Sequence, residues 1–109
     1  MARDAGLEEL VRQDLGERPG LSEKPMFGGL AFLLNGNLLC GAREDGMLAR
    51  LGKGNDDWAL ALPGIVQMVM GERRMHGWVR AGAEAYGDDA LRRRLLDAAK
   101  GYVETLPPK

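Results

Sequence analysis

The stretch "KPMFGGLAFLLNGNLLCGA", Lys24 to Ala42, sets a glycine pair ahead of an apolar run that Asn35-Gly36 divides in two. Asn-Gly accepts positive φ at both central positions of a type I′ turn, whose twist matches that of two antiparallel strands. The stretch therefore predicts a tight hairpin joining strands at residues 27–34 and 37–43. Glu44-Asp45-Gly46 forms a second turn and residues 47–51 a third strand, completing a meander. The pair Gly28-Gly29 leads into a strand, so no helix dipole is aimed at it as a phosphate cradle requires. Its predicted role is backbone geometry: a bulge, or close packing of another element over the strand.

Before the hairpin, Leu7, Leu10, Val11 and Leu15 make one apolar stripe, predicting a helix over residues 3–15 that Gly16 and Pro19-Gly20 end. After the meander, Asn55 or Asp56 can cap a short helix, and Pro63-Gly64 stops it. Residues 65–70 and 73–80 read as a second hairpin around Gly71-Glu72. Asp88 caps a last helix carrying Leu91, Leu95, Ala98, Ala99, Tyr102 and Leu106, closed by Pro107-Pro108. The order is α-βββ-α-ββ-α. It predicts a two-layer α+β fold, an antiparallel five-stranded sheet with helices on one face.

At 109 residues with 45% apolar content, the chain is expected to form a single domain, 1–109, around one core. Fifteen Lys+Arg against sixteen Asp+Glu leave a net charge of -1, without the basic excess that phosphate neutralisation uses, so direct nucleic-acid binding is disfavoured. Cys40 stands alone and cannot form an internal disulfide, and with the single His76 it makes no metal cluster. The N-terminus is charged and amphipathic, unlike a signal peptide, and the longest nearly apolar run, Leu30 to Leu34, falls far short of the roughly 20 residues of a membrane span. A cytoplasmic protein with no membrane contact is expected.

No catalytic constellation stands out. Cys40 lies mid-strand with Arg43 on the opposite pleat face, which predicts a buried, inert thiol. His76 has no triad pattern around it, and the sole serine, Ser22, lies in a loop. The chain is expected to be non-enzymatic, with no cofactor and no metal. Arg74, His76, Trp78 and Arg80 alternate onto one pleat face, with Met75 and Val79 on the other. Interleaved arginine and aromatic residues can stack on single-stranded bases, although an ordinary solvated strand has the same pattern. "LRRRLL" on the final helix reads as a solvated face with Asp88–Arg92 and Asp89–Arg93 pairs. Finally, both pleat faces of the first hairpin are apolar: Leu30, Phe32 and Leu34 against Ala31 and Leu33, and Leu38 and Cys40 against Leu39. Helices cover one face, so the other is expected to meet a partner chain, most simply as a homodimer through the sheet face.

Met26-Phe27-Gly28-Gly29, then Asn35-Gly36, then "GMLARLG", then Met75, Gly77 and Trp78 in "MHGWVRA", and a closing "LPPK" together resemble the TfoX/Sxy N-terminal domain family in order and spacing. The resemblance is to its short stand-alone members. It implies a secretion-chaperone-like sheet of five antiparallel strands with helices on one side, and no catalytic residue or cofactor. Longer relatives carry a second, C-terminal domain and act in regulating natural competence as transcriptional coactivators; this chain is expected to lack that domain. Arg73-Arg74 departs from the Arg-Pro of relatives, and "QMVMGE" is atypical. The functional expectation is a protein-interaction and regulatory module with an unknown protein partner. The alternative is a small-molecule or nucleic-acid binder using Arg74, His76, Trp78 and Arg80.

Overall fold

Asn35 and Gly36 turn the chain with φ of 54° and 82°, the positive pair that a type I′ turn demands. They sit in a computed structural model that describes residues 4–26 and 28–109. Along the chain run α1 (Ala5–Leu15), β1 (Leu21–Met26), β2 (Gly29–Leu34), β3 (Asn37–Arg43), β4 (Gly46–Arg50), α2 (Asp57–Leu60), β5 (Ile65–Met70), β6 (Arg73–Ala81), α3 (Ala83–Tyr86) and α4 (Asp89–Val103). The six strands form one antiparallel sheet in the order β1-β2-β3-β4-β6-β5, with β1 and β5 at its edges.

The sheet has six strands where the sequence predicts five. The added strand, β1, pairs with β2 from Leu21↔Leu34 to Met26↔Gly29. Its Ser-Glu-Lys-Pro centre has no apolar alternation, and only an edge position tolerates it, because Pro25 has no N–H to give a ladder. Gly28 lies in the turn between these strands and Gly29 opens β2. Gly28 has φ 73°, and a Cβ on Gly29 would lie 2.3 Å from the Ala42 carbonyl oxygen of β3. Phe27 lies outside the described residues. The four-residue α3 is a second addition, and Asp56 stands at the N-cap of α2 without making the side-chain cap bond. Asp4 and Asp88 do make theirs, accepting from the N–H of Leu7 and Leu91 at 3.0 and 3.1 Å.

All four helices contribute to one core. Leu7, Val11 and Leu15 of α1 and Leu95, Leu96, Ala99 and Val103 of α4 pack with Leu30, Phe32, Met47 and Val79 of the sheet. Between Phe32↔Cys40 and Leu33↔Leu38 the register shifts, so Leu39 is an extra residue. That bulge sends Leu39 and Cys40 into the same core, where strict alternation would part them. The opposite face also changes its reading. Leu48, Met68 and Trp78 form a second cluster there, flanked by Leu38, Met70 and Met75. Of these, the β5–β6 hairpin contributes Met68, Met70, Met75 and Trp78. Among the described residues the large apolar side chains left exposed are Val66 and Val69, both on β5.

One ionic network ties the helix layer together. Arg92 is buried rather than solvated: its Nε donates to Asp14 Oδ2 at 2.5 Å, and its Nη1 to Asp89 Oδ1 at 2.8 Å and to the Tyr86 carbonyl at 3.0 Å. Arg93 Nε donates to the other Asp14 oxygen at 3.2 Å, instead of pairing with Asp89. Burial alone would push the Asp14 carboxyl up, but the hydrogen bonds from Arg92 and Arg93 and their charges hold it below the usual carboxylate range.

Asp14→Ala leaves a buried guanidinium without its main partner, so urea denaturation is expected to show a loss of about 3–5 kcal/mol. The pH dependence follows from the sign of the Asp14 shift. The native state holds this proton less tightly than the unfolded chain, so the contribution is complete above about pH 4 and disappears as pH falls further. Denaturation midpoints across pH 2–6, about the ordinary carboxylate range, should fall steeply only in the acid half for the natural chain and less so for Asp14→Ala.

Candidate functional site

The conspicuous irregularity of the sheet lies in β6. Its register with β5 jumps from Gln67↔Val79 to Val69↔Arg74, five steps of β6 against two of β5. Gly77 sits within the excess, with φ 87°. Its carbonyl oxygen accepts the N–H of Leu51 at 2.7 Å and of Gly52 at 3.1 Å. A Cβ there would lie 2.6 Å from Lys53 N and 2.7 Å from Gly52 C, so the backbone leaving β4 crosses directly over it. Only glycine combines the left-handed dihedral with that approach.

The kink disperses the face predicted from Arg74, His76, Trp78 and Arg80. Trp78 is only 7% exposed and shares the outer cluster with Met75, the residue alternation would put opposite. Arg80 donates from Nη1 to the Asp45 carbonyl at 3.0 Å, and Arg43 holds the Asp45 carboxylate at 2.7 Å. His76 Nδ1 meets the Gln67 amide nitrogen at 3.2 Å. Arg74 is exposed at the hairpin tip. Those four side chains do not form an aromatic platform flanked by cations. A residue not singled out from sequence, Arg50, does meet aromatics: its Cζ lies 5.9 Å from the Trp78 ring centroid and 5.7 Å from that of Tyr102. Nothing local to Arg50 signals this, because Tyr102 comes from the far end of α4.

The remaining family-motif positions are structural in their contacts. Met26 closes β1 against Gly29, and Asn35-Gly36 packs on the chain end, with Lys109 N–H donating to the Asn35 carbonyl at 2.9 Å. Asn37 Nδ2 likewise donates to the Pro107 carbonyl at 2.9 Å. Cys40 is fully buried, and burial pushes its thiol far up from the ordinary range. A cleft of about 470 Å³ opens between the end of α1 and β1, floored by Phe32. Its arginines are already engaged, Arg12 with Glu23 at 2.8 and 2.9 Å and Arg18 with Glu104. Among the described residues no group of three or more His, Cys, Asp or Glu could hold a metal ion, and no helix is long and apolar enough to cross a membrane.

The edges of the sheet differ in kind. On β1, Ser22, Glu23, Lys24 and Pro25 are exposed, the charged and proline-bearing edge that resists strand addition. β5 reads Ile-Val-Gln-Met-Val-Met, with no charge and no proline, and Val66 and Val69 are 46% and 48% exposed. Apart from Ile65 N–H, which donates to Leu62, none of its backbone groups bonds outside the β5–β6 ladder among the described residues. Such an edge is open to another strand.

The family model of the TfoX N-terminal domain matches residues 13–101. The chain belongs to the TfoX N-terminal domain family. The match runs from inside α1 to inside α4, so the whole sheet of this TfoX N-terminal domain, both edges included, lies within it. No curated protein and no solved structure matches the chain.

Gly77→Ala is expected to cost about 2 kcal/mol or more, from the left-handed dihedral and the Gly52–Lys53 backbone contact. Gly101, inside α4 with open space around its Cα, is the control: Gly101→Ala should instead stabilise by about 0.5–1 kcal/mol. Denaturant unfolding of the two variants checks both signs.

Proposed function

We propose that this TfoX N-terminal domain is a non-enzymatic protein-interaction module with a regulatory role, and that it engages polypeptide by strand addition at β5. The observation that carries the reading is the contrast between the blunted β1 edge and the bare β5 edge. Backbone hydrogen bonds to an added strand give affinity, and exposed side chains on alternate positions give selectivity. Val66 and Val69 supply apolar contacts on the two sides of the sheet. The inert Cys40 and the internally paired arginines of the α1–β1 cleft are consistent with a domain that works by contact rather than by chemistry. A link to transcriptional control comes from the family's longer relatives alone. The nucleic-acid alternative gains nothing from the arrangement, since Trp78 is enclosed and Arg80 is tied to Asp45.

Amide exchange read residue by residue tests the proposal. Bound polypeptide should slow the amides of β5 about tenfold or more while leaving those of β1 unchanged. Protection confined to β1, to the α1–β1 cleft or to the helices would contradict it.

A further inference from the structure

The β5 edge has a chemistry that suits one occupant in particular. We infer that the strand it accepts is β5 of a second copy of this chain, laid antiparallel across a two-fold axis so that two six-stranded sheets become one. This rests on the reading of β5 as the docking edge, and adds the identity of what docks.

Self-pairing requires that a strand tolerate itself. In an antiparallel pair of identical strands, directly opposed residues share a face and the two-fold stands normal to the sheet. The axis must therefore pass midway between a residue and its own copy, and the centre of β5 offers Gln67 or Met68 for that pair. Either choice sets Val66 opposite a methionine of the other copy, Met68 or Met70, and brings no charge onto like charge. The same operation on β1 would crowd Glu23 and Lys24 about the axis and place Pro25 where a ladder bond is needed.

Charge at the two ends of β5 fixes the direction. Antiparallel pairing brings the tip of one hairpin beside the foot of the other. The tip carries Glu72, Arg73 and Arg74, all exposed, and neither arginine has an acidic partner among the described residues. The foot is acidic. Exposed Glu84 packs on Gly64, just before β5, where a Cβ would come within 2.9 Å of its Cγ, and exposed Asp57 lies on α2, which contacts β5. Elsewhere Arg12, Arg18, Arg43, Arg80 and Arg92 are all paired within the chain. One cation, Arg94, already stands at the foot, its Cζ 4.1 Å from the Trp58 ring beside Asp57, and the tip arginines meet the foot carboxylates between copies. A parallel arrangement would set tip against tip.

Light scattering on the full chain between about 1 µM and about 1 mM tests this. The natural protein is expected at twice the chain mass. Arg73→Glu with Arg74→Glu makes both ends acidic, and Asp57→Arg with Glu84→Arg makes both ends basic; each double variant alone should run as a monomer. Mixed in equal amounts they should recover the dimer, a rescue that variants failing to fold cannot give. Val69→Lys, which charges the edge without touching either end, should also be monomeric. A natural chain that stays monomeric throughout overturns self-pairing, as does a dimer indifferent to Val69→Lys and to both charge reversals. In the first case, slowed β5 amides in complex with a different polypeptide would leave the interaction module standing; unchanged β5 amides would remove both.

Discussion

The Gly77 carbonyl, shared by the amides of Leu51 and Gly52, fixes the path of the chain where β4 leaves the sheet and β6 kinks. Much of the molecule's surface character follows from that crossing. Because β6 takes extra residues there, Met75 and Trp78 come to the same side, and with Met68 they seal Leu48 on the face away from the helices. At this end of the sheet the apolar side chains of the outer face pack on one another. What stays open is an edge, β5, and that is a surface read by backbone hydrogen bonds more than by shape.

The helix layer is organised by a different constraint. Asp14 and Arg92 lie at opposite ends of the sequence, yet their side chains are almost wholly buried against each other, and Asp89, Arg93 and the Tyr86 carbonyl complete the set. Buried ions are tolerated only when so fully partnered. The network holds α1 and α4 in register over the core, while α1 also reaches the edge strand through Arg12 and Glu23. The two layers are thereby fastened at the β1 end, and the β5 end carries tip arginines without an acidic partner among the described residues.

Local chemistry made part of this legible in the sequence. Asn35-Gly36 has few alternatives to a type I′ turn, and Asp88 before an apolar-periodic run has few alternatives to an N-cap, so both were readable with no tertiary information. The strand at Leu21–Met26 was hidden because its polar, proline-bearing sequence makes sense only at an edge, and edge status is a property of the whole sheet. Leu39 and Met75 were misplaced by alternation for one reason: a bulge shifts parity without leaving a mark in hydrophobic pattern. The face assigned to Arg74, His76, Trp78 and Arg80 assumed the same unbroken parity across Gly77. Arg92 looked solvated because its partner stands 78 residues away and nothing nearby announces it. The bare edge was present in "IVQMVM" all along, but its meaning depends on strand order, which puts β5 outside β6 rather than between neighbours.

Hydrogen exchange at Leu51 and Gly52 probes the crossing on which this architecture turns. If the Gly77 carbonyl holds both amides, they should exchange only with global unfolding, as slowly as the amides of the β3–β4 ladder. Exchange of either as fast as that of Gly54, in the exposed loop just beyond, would mean that the kink is not fixed and that the outer cluster and the open β5 edge do not follow from it.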